Sequence, residues 1–224
     1  MVAVVVLAGG ALVADRVAHS TAERRVTEAI EQNLDVAGTP TVEIGGFPFL
    51  TQLLAGSVDD VTGAVDGVTL EGVDATDVTI DAHDVTVSEP YTVGTATIAA
   101  TLPTASIEQI VQDRSNLDVA VAVDGGALAA SGEVLGLTLT ANLTPRVEDG
   151  RLLVSVQNAQ IAGLTVSVDD LPRAIGDRLT DIEIPVSGLP EGLVLSDATV
   201  VADGVRITAT GTDVVLPTQA PSAR

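Results

Sequence analysis

The chain has 224 residues, of which 46% are hydrophobic, so it can bury a sizeable core in one large domain or two small ones. Its formal charge is −21 and its ten basic residues are all arginine, which argues against a nucleic-acid partner because phosphate binding needs clustered cations. The absence of cysteine excludes disulfides, thiolate metal sites and a lipid-modified N-terminal cysteine.

The first segment, residues 2–14, is an uninterrupted apolar run that ends at Asp15 and Arg16. As a helix it spans about 20 Å, which is short for a membrane span. The run is typical of a secretory signal or signal anchor, although the basic residues that usually precede one are missing. A buried helix turn is the alternative. We expect the segment to export or tether the rest of the chain, with the body of the protein outside the cytoplasm.

Residues 14–34 favour a long amphipathic helix, followed by Gly38 and Pro40, which stop it, and by a short strand at residues 41–44. Residues 45–56 then read GGFPFLTQLLAG and contain both phenylalanines of the chain. Gly45, Gly46 and Pro48 predict a shaped loop or short helix here. The large apolar side chains of this segment either line a cavity or plug the core.

Residues 58–102 alternate in the manner of strands, with Val78, Ile80 and Ala82 on one face. The phase of the alternation changes near His83 and Asp84, which predicts a bulge or strand break at that point. Asp124-Gly125-Gly126, Glu148-Asp149-Gly150 and Asp203-Gly204 predict three hairpin turns.

Two further amphipathic helices are predicted at residues 102–111 and 171–179, each opening with Leu-Pro. Together these patterns predict an α+β fold. It has a long, strongly twisted antiparallel sheet wrapped around the long N-terminal helix, with the two further helices covering one face. An up-and-down all-β sandwich is the alternative. We expect an apolar signal or anchor at residues 1–14, a single domain at residues 15–216 and a disordered tail at residues 217–224.

No constellation of reactive residues is evident, so we expect neither an enzyme nor a cofactor or metal site. His19 and His83 have no second histidine at ligand spacing, and no Gly-x-Ser-x-Gly motif occurs. The aspartates of the strands are spaced as solvent-facing positions rather than as a calcium loop. The chain offers mainly aliphatic side chains without a reactive group, and such side chains can line an elongated apolar cavity for an acyl chain.

The segments ADRVA at residues 14–18, AERR at 22–25 and GFPFLTQLLAG at 46–56 resemble, in this order, the LmeA-like phospholipid-binding proteins of actinobacterial cell envelopes. The resemblance extends over residues 14–216. It implies an exported or membrane-anchored protein with a tubular lipid-binding fold. Its partners would be a phospholipid or glycolipid and a membrane surface reached through the N-terminus.

The predicted function is therefore non-catalytic binding or transfer of a phospholipid or related envelope lipid. A structural envelope protein with a filled core is the alternative, and an unrecognised hydrolase ranks third. The predicted lipid-binding residues are apolar. They come from the first helix and from residues 45–56, which we call the aromatic segment: Val26, Ile30, Phe47, Phe49, Leu50, Leu53 and Leu54. Head groups are expected at Arg24 and Arg25 or at Arg173 and Arg178, unless these side chains are simply solvated.

Overall fold

The computed structural model describes residues 2–70, 72–115, 119–134, 137–161, 164–167, 182–184 and 189–216; the side chains of residues 2–11 and of some positions next to the gaps are outside the description. The described elements are three helices and thirteen strands. Antiparallel strands predominate, as the alternation predicted. The predicted helix at 171–179 and the tail at 217–224 lie outside the described residues.

The first helix, α1 (Val2–Asn33), is uninterrupted, so the apolar first segment and the predicted amphipathic helix form one element. Its main contacts are with two short strands, β1 (Asp35–Ala37) and β2 (Thr41–Ile44), and with a short helix, α2 (Phe49–Ala55). Wrapping of a sheet around the helix is not confirmed by these contacts. Among the described residues, no helix is both long and apolar enough to cross a membrane.

The larger sheet, sheet A, has seven strands in the order β1-β3-β4-β5-β13-β12, with β2 also paired to β3. Its strands are β1 (Asp35–Ala37), β2 (Thr41–Ile44), β3 (Ser57–Leu70), β4 (Val73–Thr86), β5 (Thr92–Pro103), β12 (Glu191–Val201) and β13 (Gly204–Val215). Helix α2 (Phe49–Ala55) connects β2 to β3, so of the two forms predicted for residues 45–56, a shaped loop or a short helix, the structure has the short helix.

The smaller sheet, sheet B, has six strands in the order β10-β9-β8-β7-β6, with β11 paired to β9. Its strands are β6 (Val119–Asp124), β7 (Ala127–Val134), β8 (Leu137–Glu148), β9 (Arg151–Ile161), β10 (Leu164–Ser167) and β11 (Ile182–Ile184). The predicted long antiparallel sheet is present as sheet A, and the remaining described strands form a second sheet that shares a core with it.

That core lies between one face of sheet A and sheet B. Its buried members come from β4, β5, β12 and β13 on one side and from β6, β7 and β9 on the other. Helix α3 (Thr104–Ser115) adds Ile107 at the margin of this core. The predicted second helix therefore exists, but Leu102 and Pro103 end strand β5 instead of opening the helix.

The turn predictions follow from local chemistry. Gly125 and Gly126 connect β6 to β7 with φ of 58° and 82°, and Asp149 and Gly150 connect β8 to β9 with φ of 52° and 72°. Positive φ at both central residues is the type I′ hairpin geometry. The third hairpin is also present, with Val201 paired to Gly204.

The predicted change of phase in β4 is confirmed at Asp84, where φ is 55° and Ala82 and Val85 both contribute to the core. The bulge or strand break predicted at this point is wrong, because β4 continues through it and its register with β3 and β5 does not shift. The β-bulge of this strand lies instead between Thr76 and Thr79, around Asp77 with φ of 49°. Arg206 of β13 reaches across to this bulge, where its guanidinium donates to the Asp77 carbonyl at 3.4 Å.

Candidate functional site

A polar stripe on α1 fixes the aromatic segment to the helix. Asp15, His19 and Glu23 are spaced four residues apart, so they share one face of α1. The Leu50 N–H donates to Asp15 Oδ1 at 2.8 Å. Both backbone groups of Ile44 are also bonded, since its N–H donates to Glu23 Oε1 at 3.1 Å and its carbonyl accepts from His19 Nε2 at 2.5 Å. Asp15 is only 4% exposed, so its bond to Leu50 is shielded from water.

The inner side of α2 holds the segment against β3. Gln52 is buried; its amide donates to the Gly45 carbonyl at 3.2 Å and its Oε1 accepts from the Asp59 N–H at 2.7 Å. Phe49 is 2% exposed and meets the His19 ring edge-on, with 5.3 Å between ring centroids. Gly46 has φ of 86° and lies against the Gln52 side chain, where a Cβ atom would collide. These contacts explain why glycine, phenylalanine and glutamine stand at positions 46, 49 and 52 of the GFPFLTQ sequence.

An open groove of about 700 Å³ lies between α1 and α2, and we call it the α1–α2 groove. Its walls are almost entirely small or aliphatic side chains of α1, with two apolar residues from α2: Val13, Ala14, Val17, Ala18, Thr21, Ala22, Arg25, Phe49 and Leu53. Arg25 is the one charged residue of this lining.

A second space, the inner cavity, lies between the last turn of α1 and strands β3 and β4. It has a volume of about 240 Å³ and an almost wholly apolar wall. The lining residues are Ile30, Leu34, Val36, Pro40, Thr41, Gly63, Ala64, Val65, Val68, Leu70, Val78 and Ile80. Its size is just below the range of about 300–1,000 Å³ found for pockets that bury drug-sized ligands. It therefore suits part of an acyl chain better than a whole phospholipid.

The inner cavity continues the core face of sheet A. One cross-strand row runs through Gly63, Ile80, Ile98, Ala209 and Leu195, and directly paired residues point to the same face. Ala209 and Leu195 are 5% exposed beneath sheet B, whereas Ile80 at the other end of the row is 42% exposed. The apolar face is thus covered at β12 and β13 and left open at β3 and β4.

The structure distributes the predicted lipid-binding residues over three places. Ile30 lines the inner cavity, and Phe49 and Leu53 line the α1–α2 groove. Phe47 and Leu54 are strongly exposed, while Leu50 and Val26 are partly exposed. Sequence reasoning did not assign Leu34, Val65, Val78 or Ile80 to binding, although the strand alternation had placed Val78 and Ile80 on one face.

The two histidines occupy different environments. His83 lies on the outer face of sheet A, with Nδ1 2.5 Å from an Asp60 oxygen and Nε2 3.0 Å from an Asp81 oxygen. The hydrogen bond to Asp60 raises the pKa of His83 above its ordinary value, and the negative charges of Asp81, Asp60 and Asp84 act in the same direction. His19 is half-buried in the α1 stripe.

Among the described residues, no group of three or more histidine or carboxylate side chains could hold a metal ion. Of the arginines expected at a head group, Arg25 lines the α1–α2 groove and Arg24 is exposed one position before it. Arg173 and Arg178 lie outside the described residues.

Comparison with known proteins places this arrangement in a family. No curated protein and no solved structure matches the chain. The family model described as LmeA-like phospholipid-binding matches residues 13–210, a range that takes in the α1 stripe, both apolar spaces and all of the two sheets except the end of β13. The chain therefore belongs to the LmeA-like phospholipid-binding family.

Proposed function

We propose that the protein binds or transfers a phospholipid or related lipid of the cell envelope without catalysing a reaction on it, and that an acyl chain occupies the inner cavity. The observation that carries this assignment is the open end of the sheet A core face. An apolar face that is left uncovered beside Ile80 loses the stabilisation of burial, about 25 cal/mol for each Å² that stays in water. A bound hydrocarbon chain recovers that stabilisation.

The position of α1 supports entry of the lipid acyl chain into the inner cavity from the protein surface. Ile30 and Leu34 form the α1 side of the cavity, while Val65 and Val78 form the sheet side. Leu34 and Leu70 are 40% and 52% exposed, so the cavity borders solvent at the end of α1. A lipid bound in this way keeps its polar head outside the protein, where it retains its hydration.

We also propose that the protein works outside the cytoplasm, in the cell envelope, and that the apolar residues 2–14 export or tether it. Fractionation of cells tests this part directly. We expect the full chain to be found in the envelope fraction. A chain that lacks residues 2–14 should no longer be found there. Cytosolic full-length protein whose distribution is unchanged by the deletion contradicts the proposal.

The binding site is tested with delipidated protein and a short-chain phosphatidylcholine kept below its micellar concentration, so that only single lipid molecules are present. Binding is measured by calorimetry and by native mass spectrometry. Ile80→Asp puts a carboxylate into the apolar wall, where desolvation is costly, and we expect at least about a tenfold loss of affinity. The matched control is Val194→Asp on β12, since Val194 is 55% exposed and lies outside both apolar spaces described above.

Native mass spectra of gently purified protein separate this proposal from a structural protein with a filled core. We expect lipid adducts on the wild-type protein and on the Val194 variant, and their loss from the Ile80 variant. Equal lipid binding by all three proteins contradicts the inner cavity as the site. Absence of lipid binding by the wild-type protein contradicts the proposed function itself.

A further inference from the structure

The end of the molecule formed by α1 and α2 presents an exposed apolar face. On α2, Leu50, Leu53 and Leu54 fall within a sector of about 100° around the helix axis. Leu54 is 90% exposed. Across the α1–α2 groove, Val13 and Val17 of α1 are 64% and 60% exposed. These five residues form what we call the docking face.

The docking face adjoins an apolar stretch of the same helix. Helix α1 is continuous from Val2–Asn33, and its residues 2–14 carry no charge. The segment that contains α2, residues 45–56, is also uncharged. Large exposed apolar surfaces on a protein mark sites of interaction with another protein or with a membrane.

The charges next to this face are positive, although the chain as a whole carries −21. Arg25 lines the α1–α2 groove, and Arg24 lies within about 40° of Val13 and Val17 around the α1 axis. Among the described residues, neither arginine forms an ion pair.

The carboxylates near the docking face are engaged or lie elsewhere. Asp15 is buried in its bond to Leu50, and Glu23 accepts from the Ile44 N–H. Asp59 and Asp60 approach Gly46 and Gly45 from β3 rather than from α1. Along α1 the uncharged turns are followed by Arg16, Arg24 and Arg25, with Asp15 and Glu23 of the same stretch held in the bonds just described, and the next acidic residue is Glu28.

The geometry points to an anionic phospholipid bilayer surface as the partner of the docking face. Leu50, Leu53, Leu54, Val13 and Val17 enter the boundary between head groups and acyl chains, and Arg24 and Arg25 lie at the level of the phosphates. Interfacial helices bind in this way, by apolar burial together with attraction to anionic lipids. The acidic remainder of the protein stays away from the membrane, which explains how a chain of charge −21 approaches a negative surface.

This surface is distinct from the inner cavity, and the two are tested separately. The full chain is mixed with vesicles of phosphatidylcholine alone or of phosphatidylcholine with phosphatidylglycerol, and binding is measured by co-sedimentation. Leu54→Asp should weaken binding to anionic vesicles at least about tenfold, because a leucine no longer enters the apolar boundary. Each arginine should contribute about a fivefold preference for anionic over neutral vesicles. Replacing both Arg24 and Arg25 by glutamine should therefore remove both contributions.

Val194→Asp is again the control, since it adds the same charge at an exposed apolar position far along the sheet from α2. All variants should melt at the wild-type temperature and bind the monomeric short-chain lipid as the wild type does. Loss of vesicle binding with retained monomer binding supports the docking face even if the inner cavity assignment fails. Unchanged vesicle binding by the Leu54 and arginine variants overturns the proposal. So does a wild-type dimer in solution that Leu54→Asp dissociates without changing vesicle binding, because a second copy then covers this face.

Discussion

Phe49 and Leu54 lie on the same short helix, yet an aspartate should strongly reduce the stability of the protein at Phe49 and hardly change it at Leu54. Phe49 is 2% exposed and packs against the His19 ring, whereas Leu54 is 90% exposed. Removing the buried ring forfeits about 1.5–3 kcal/mol of transfer free energy, and leaving a carboxylate in its place costs several kcal/mol more.

The sum for Phe49→Asp is about 5 kcal/mol or more, a large part of the total stability of about 5–15 kcal/mol typical of a domain. For a chain of this size, about 1 kcal/mol changes the melting temperature by about 2–4 °C, so we expect Phe49→Asp to melt at least about 10 °C below wild type. Leu54→Asp should change stability by no more than about 0.5 kcal/mol, as surface substitutions do.

The assay is thermal unfolding followed by circular dichroism, with short-chain phospholipid binding measured on the same preparations at a temperature where each variant is folded. At that temperature we expect Phe49→Asp to retain lipid binding, and to lose it only above its own melting temperature. The reasoning is refuted if Phe49→Asp melts within a few degrees of wild type while its lipid binding is abolished. Phe49 would then form the wall of a lipid site instead of anchoring α2 to α1.

Three further predictions concern polar and backbone features. Asp15→Ala leaves the Leu50 amide without its buried acceptor and should cost about 1–3 kcal/mol, whereas Asp15→Asn retains an acceptor and should cost less; equal melting of Asp15→Ala and wild type contradicts the bond. Because the folded pKa of His83 is raised, its bond to Asp60 stabilises the protein at low pH, and that stability is lost as the pH rises from about 6.5 through the raised pKa. Urea unfolding across this range should show the decline in wild type and a flatter profile in His83→Gln, and identical profiles would exclude the effect. Asp84 has φ of 55°, so Asp84→Val should be less stable than Asp84→Gly by about 1–2 kcal/mol in urea unfolding, and the reverse order would show that the backbone is not strained there.

The local elements of this protein could be predicted from its sequence because they depend on neighbouring residues. The glycine-containing turns at Gly125 and Gly150 and the change of phase at Asp84 all arise from backbone preferences of a few residues. The short helix of the aromatic segment and helix α3 follow similarly from local breakers and apolar spacing. The family could also be predicted, because the GFPFLTQ segment is specific in its order.

The division of the strands into two sheets and the position of the cavity depended on the tertiary structure. Strand alternation places Ile80 and Ala82 on one face, but it does not say which element covers that face. Ala82 is buried in the core and Ile80 is not, since sheet B and α1 cover different parts of sheet A. The same residue pattern therefore produces a closed core at one end and an open cavity at the other.

The α1 stripe shows the same division between sequence and fold. The four-residue spacing of Asp15, His19 and Glu23 is visible in the sequence and puts the three side chains on one face of a helix. Their partners are backbone atoms of Ile44 and Leu50, between 21 and 35 residues away, and no sequence pattern marks a backbone atom as a partner. Local sequence patterns were sufficient to predict the helical part of α1, helix α3, the regions of alternating strands, the hairpin turns and the family. Which apolar residues are core, cavity or exposed surface depended on the packing of α1 against α2, β1 and β2 and of sheet B against one part of sheet A, because burial depends on residues distant along the chain.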